Sequence, residues 1–229
     1  MTLAAIVAQA DPEPLIDWGW VFDHTDDIWE ATIEHLRLTL IAVVVGFLIS
    51  LPLAMIALRY RRSYGPLTWV TGILYTIPSI ALFGFLIPIT GLSTTTAEIA
   101  LVSYTLLILL TNIVAGVDGV PASVKEAADG MGFTPRRRFV DVDLRLATPA
   151  MIAGLRIATV TTIGLVTVSA LVGFGGYGSF IEQGRARGDF STPIMLGAGL
   201  SVLLAAAADL TLVFAEWLIT PWTHRRTAR

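Results

Sequence analysis

The chain is 229 residues long, 55% hydrophobic and only 14% charged, with a formal net charge of −3 and a mean hydropathy of +0.73. Those proportions exclude a soluble globular domain and place the chain in a bilayer. Zero cysteines also exclude disulfides, thiol catalysis and thiolate metal sites.

In chain order, residues 1–35 read as an acidic extracytoplasmic tail. Eight acidic residues lie between Asp11 and Glu34, with no Lys or Arg among them. Ala8, Gln9 and Ala10 resemble a signal-peptidase site, but the preceding run is short and lacks a basic residue, so no cleavage is expected. Thr25 followed by Asp26 and Asp27 reads as a helix start. Ile28, Trp29, Ile33 and Leu36 give that helix one apolar face, and Trp18, Trp20 and Phe22 lie nearby. An interfacial helix leading into the membrane is expected.

Five spans follow, each near the roughly 20 apolar residues that cross about 30 Å of hydrocarbon. They are Leu38 to Leu58, Leu67 to Ile89, Ile99 to Val117, Thr148 or Pro149 to Val172, and Pro193 to Thr220. Residues 36–220 thus form the transmembrane domain, and 221–229 a basic tail. Span three carries Ser103, Thr105, Thr111 and Asn112, which suits packing against neighbouring helices. Pro78 and Pro88 interrupt span two, where freed backbone carbonyls can line a polar cavity.

Lys and Arg set the orientation, because cytoplasmic loops are enriched in them. Arg59, Arg61 and Arg62 follow span one; Lys125, Arg136, Arg137, Arg138 and Arg145 lie between spans three and four; Arg225, Arg226 and Arg229 close the chain. These eleven residues fall on one side, whereas Arg37, Arg185 and Arg187 fall on the other. The amino terminus is expected outside and the carboxyl terminus in the cytoplasm.

Little in the chain points to catalysis. His24 and His35 are expected outside and His224 inside, so they cannot share a metal, and no metal site is expected. The only lysine, Lys125, lacks the glycine-rich loop that a phosphate-binding site requires. Gly173, Gly175 and Gly178 match a dinucleotide-binding spacing but follow a membrane helix rather than a strand. They read as a flexible turn ending span four, or alternatively as a gate or receptor contact.

The loop over residues 118–147 is the most informative stretch. Pro121 and Ser123 can open a short helix carrying Glu126, Ala127 and Ala128, and Gly130 and Gly132 can end it before a second turn at Thr134 and Pro135. Small residues would let a partner approach closely, and Glu126 would offer it an acceptor. An ordinary inter-helix loop with an Ala-rich turn is the alternative.

Glu126-Ala127-Ala128, Gly132 and the basic segment after it resemble the permease signature of bacterial ABC importers. Thr76 through Phe85, together with Ala153-Gly154-Leu155-Arg156, resemble the osmoprotectant branch, and the likeness covers roughly Glu34 to Leu218. One departure is Leu144-Arg145, where the family usually has Leu-Pro; Pro149 is expected to take over the turn into span four.

The resemblance implies an all-α integral membrane protein of about five transmembrane helices, the type I ABC importer (MetI-like) transmembrane domain. It further implies an importer of glycine betaine, choline, carnitine, proline betaine or similar quaternary amines in the cell membrane. A permease for methionine, another amino acid or a small solute is the neighbouring alternative. An intramembrane enzyme or an unpartnered channel is the reading from a different class.

The implied partners are an ABC ATP-binding subunit, which carries ATP and Mg, and a separate extracytoplasmic substrate-binding protein. A second permease copy or a similar permease and membrane lipid complete the set; no nucleic acid is expected. The chain itself is expected to bind no cofactor and to have no ATPase site or catalytic residue. Glu126, Ala127, Ala128 and Gly132 are the expected ATPase-coupling residues.

Two further groups are candidates. Asp209 and Glu216 lie seven apart on one face of span five, and Arg156 lies in span four, so Arg156 and Asp209 are placed to form a structural ion pair. The alternative is that each snorkels to the interface. Ser79, Asn112, Thr161 and Thr162 are candidates for the wall of a translocation path, against the alternative that they bond neighbouring backbone.

Overall fold

The computed structural model describes residues 15–188 and 190–224, all of it helix and connecting turn. The Ala8–Ala10 segment and the basic residues Arg225, Arg226 and Arg229 lie outside the described residues. A short helix α1 (Trp18–Asp23), capped where the Asp17 carboxylate accepts from Trp20 N–H, precedes α2 (Thr25–Arg59).

The interfacial helix and span one expected from sequence are a single element. At 35 residues, α2 is about 52 Å long, well beyond the hydrocarbon thickness, so its acidic first turns stand clear of the apolar part. Nothing between Thr25 and Leu38 breaks a helix, which is why the two merge.

Span two is broken. Helices α3 (Arg61–Thr76) and α4 (Ser79–Thr90) meet at a 95° bend. Pro78 forces Ile77 out of the helical region, to φ −63° and ψ 127°, and the Tyr104 hydroxyl donates to the Ile77 carbonyl that the break leaves free. Pro88, by contrast, sits inside α4 near its end without interrupting it. The break therefore lies at Pro78 and not at Pro88.

Helix α5 (Thr94–Asp118) starts at a Ser93 cap that accepts from Thr96 N–H at 3.3 Å. The polar loop contains α6 (Ala122–Gly130) and the single turn α7 (Pro135–Arg138), which runs through a π turn at Phe139–Asp143 into α8 (Leu144–Ser169). The turn expected at Pro149 is absent, because the chain is already helical from Pro135 and Pro149 lies within α8. The irregular step falls instead at the π turn, which loosens the hydrogen-bond ladder.

A 3-10 turn at Ala170–Val172 and the glycine-rich turn lead to α9 (Gly178–Ala186), a helix where the sequence reading has only a connection. Helix α10 (Ser191–Ile219) and the short α11 (Pro221–His224) complete the described chain. Among the described residues, four helices are long and apolar enough to cross a membrane, or five if the bent α3–α4 pair counts as one span.

Helix α5 is the hub. Ala97, Ala100, Leu101 and Tyr104 pack with Leu38 and Ala42 of α2, Phe83 of α4 and Val166 of α8, while Leu110, Ile113 and Val114 pack with Ala54 and Ala57. The α5–α8 contact depends on small residues: a Cβ on Gly154 would lie 2.6 Å from Asn112 Cβ, and one on Gly116 would lie 2.9 Å from Ala150 Cβ. Half of the apolar window of α5 is buried but only 6% of that of α10, so α10 is peripheral in a single chain.

Candidate coupling loop and intramembrane ion pair

Helix α6 presents Glu126 and Ala127 to solvent while Ala128 turns inward, 1% exposed. Its end explains why glycine stands at position 132. Phe133 N–H donates to Ala128 O at 3.1 Å and Gly132 N–H to Asp129 O at 3.0 Å, and Gly132 has φ +80°. This is a Schellman closure, whose left-handed residue has little steric cost only as glycine.

Three polar links brace the loop and its junctions with the spans. Lys125 Nζ donates to Val117 O at 3.2 Å, at the end of α5. Arg61 donates through both Nη atoms to the Asp118 carboxylate, tying the start of α3 to the same end of α5. Arg138 Nη1 donates to Asp129 Oδ2 at 2.6 Å, and its Nε lies 3.8 Å from Asp143 Oδ2 in the π turn. Glu126 has no such partner among the described residues, which leaves its carboxylate available to a second protein.

Arg156 and Asp209 meet across α8 and α10. Nε and Nη2 of Arg156 donate to the two carboxylate oxygens at 2.8 and 2.9 Å, the forked arrangement that fits guanidinium to carboxylate. Glu216 Oε2 lies 4.0 Å from the remaining Nη1. Asp209 stands ten residues before Ile219, about 15 Å along the helix, so the pair is well inside the span.

This pair borders a cleft of about 680 Å³ between the two helices, which Thr161 also lines. The other path candidates lie elsewhere. Asn112 packs on Gly154 and donates to Ile108 O at 2.8 Å. Thr162 is buried, and its hydroxyl has no partner among the described residues. Ser79 opens α4 directly after the break. The four hydroxyl and amide candidates thus do not share one wall.

On the opposite side, the glycine-rich turn is latched to α2. Gly176 N–H donates to Glu34 Oε2 at 3.1 Å and Tyr177 N–H to His35 Nδ1 at 3.4 Å. Because a backbone N–H can only donate, His35 carries its proton on Nε2 and gives it to Ile163 O at 3.1 Å. Gly176 has φ +47°, and a Cβ there would stand 2.6 Å from His35 Cβ. Neither Arg138 nor His35 stands out in the sequence, because a lone histidine and one member of an arginine run carry no spacing signal.

These features, several apolar helices and a basic polar loop holding an exposed small-faced helix, have a match in a known family. The model of the family described as binding-protein-dependent transport system inner membrane component covers residues 42–220. The chain belongs to this family.

As a permease, it is similar to the choline transport system permease protein of Bacillus subtilis (strain 168), with 34% identity over 83% of this chain and 87% of that one. It is also similar to an osmoprotectant import permease protein of Salmonella typhimurium (strain LT2), with 31% identity over 88% of this chain and 96% of the other. In structure it matches the MetNI methionine ABC transporter in inward-facing conformations, with a TM-score of 0.76 and 21% identity over 90% of this chain and 100% of that one. That likeness establishes the fold. The family is one of inner-membrane permeases of ABC importers, and the apolar helices agree with a multi-pass membrane protein.

Proposed function

We propose that this permease is the membrane-spanning subunit of an ATP-driven importer for osmoprotectants such as glycine betaine, choline, carnitine or proline betaine. The observation that carries the reading is the extent of its likeness to relatives named for choline and osmoprotectant transport, which runs through most of each chain. The methionine transporter matches at 21% identity and supports the shared fold without supporting methionine as the solute.

In this reading residues 118–147 face the cytoplasm and α6 docks on a separate ATP-binding subunit, which holds ATP and Mg. Glu126 accepts a basic or amide donor there, and Ala127 lets that surface approach closely. The permease has no ATPase site of its own, and a second permease chain and an extracytoplasmic binding protein complete the complex. Closure of the ATPases moves α6, and the spans switch the cleft between the two faces of the membrane. The Arg156–Asp209 pair keeps α8 and α10 together at membrane depth, where neither charge is tolerable alone.

The test is growth of a transport-deficient cell in high-salt medium containing glycine betaine, with this permease, its ATPase and its binding protein expressed together. Rescue is expected, and loss of rescue when the ATPase is omitted. Growth unchanged by the complete complex refutes the reading.

A further inference from the structure

The docking helix α6 meets the spans at two very different joints. On its amino-terminal side Lys125 reaches one carbonyl at the end of α5. On its carboxyl-terminal side the chain turns through Gly132 in a left-handed conformation and Thr134, both exposed, with Phe133 half-buried between them. Arg138 crosses that joint: Nη1 bonds Asp129 in the last turn of α6, while Nε, buried and without a hydrogen-bond partner among the described residues, lies within ion-pair range of Asp143 Oδ2 at 3.8 Å, at the foot of α8. Asp143 is nearly enclosed, its side chain 6% exposed, and its other oxygen, Oδ1, has no partner among the described residues.

Arg59 and Arg136 line the same pocket as Arg138 and Asp143, but among the described residues neither forms an ion pair with Asp129 or Asp143. Arg137 pairs with Asp141 at 3.4 Å and lies over the Phe133 ring, and Lys125 is occupied at Val117. One planar guanidinium therefore joins the helix that would meet the ATPase to the π turn from which span four begins. Lysine, with a single nitrogen, cannot address two carboxylates in a fixed geometry.

We propose that Arg138 is a positioning residue for transport, a strut between Asp129 and Asp143 that makes α6 and α8 move together. This rests on the permease reading and on α6 as the docking helix. Without the strut, displacement of α6 is absorbed at the Gly132 turn and the ATPase cycles without moving α8.

The absence of cysteine allows a test that needs no transported solute. A single reporter, Val160→Cys, stands in α8 beside the α8–α10 cleft and is half exposed. Its rate of reaction with a maleimide is measured in the complete complex with a cysteine-free ATPase, first without nucleotide and then trapped with ATP and vanadate. With Arg138 present, trapping is expected to change the rate about fivefold or more, the low end of ordinary coupling between sites.

In Arg138→Ala the complex is expected to assemble and trap nucleotide while the reporter rate stays unchanged. Arg138→Lys, which keeps the charge, is expected to fail in the same way and serves alone if the alanine variant does not assemble. The exchange Asp129→Arg with Arg138→Asp is expected to restore at least part of the change. A reporter that does not respond with Arg138 present, or that responds equally in Arg138→Lys, overturns the proposal. Failure to import glycine betaine by a complex whose reporter responds would count against the solute assignment and not against the strut.

Discussion

Replacing Gly154 with alanine tests whether close packing of α5 on α8 holds the permease together. The added Cβ would stand 2.6 Å from Asn112 Cβ and 3.1 Å from Cγ, whereas carbon atoms rest at about 3.5–4.0 Å. The helices must separate by about 1 Å, and overpacking of this kind costs about 1–3 kcal/mol. At about 2–4 °C per kcal/mol for a chain of this size, the melting temperature of the detergent-solubilised protein should fall by about 2–12 °C. The nearest obstacle is a Cβ fixed to the backbone, so Asn112→Ala should not relieve Gly154→Ala, while Asn112→Gly should recover part of the loss. Full recovery with Asn112→Ala, or no loss in Gly154→Ala at all, refutes the packing argument.

Among the described residues, Asp209→Ala leaves Arg156 with only Glu216 at 4.0 Å inside the span, and several-fold lower yield or uptake is expected, recovered by exchanging the two charges. Wild-type uptake in Asp209→Ala contradicts the role given to the pair. Gly176→Ala places a left-handed alanine against His35, at about 1–2 kcal/mol for the backbone alone, and should lower the melting temperature. An unchanged melting temperature would contradict the left-handed conformation and the close contact with His35 given to Gly176. Arg61→Ala should shift stability by less than about 1 kcal/mol, because the Arg61 side chain is 60% exposed where it meets Asp118. A loss of several times that size would show that this pair is shielded from solvent in the assembled complex.

Apolar run length made α2, α5, α8 and α10 legible in the sequence, since a bilayer demands it of any spanning helix. The break of span two was legible at Pro78, because proline constrains the residue before it, but Pro88 has the same chemistry and sits quietly within α4. What distinguishes them is tertiary: Tyr104 reaches the carbonyl freed at Ile77. The merging of the interfacial helix with span one follows from the absence of any breaker between Thr25 and Leu38. The π turn before α8 has no residue signature, and neither does α9, a nine-residue helix after the glycine-rich turn that packs against α10 through Gly184 and Ile194.

The candidate coupling loop was readable as a motif, with Gly132 interpretable only once its Schellman bonds were seen. Asp209 and Arg156 could be singled out because charges are rare inside spans. Arg138 could not, because its importance comes from two carboxylates brought to it by separate turns.

The central claim is tested most directly by ATP-dependent uptake of labelled glycine betaine into liposomes containing the permease, its ATPase and its binding protein, with unlabelled choline, carnitine and methionine as competitors. The account predicts uptake that requires ATP, is displaced by choline or carnitine, and is indifferent to methionine. No uptake by an assembled complex that hydrolyses ATP, or uptake displaced by methionine alone, would contradict it.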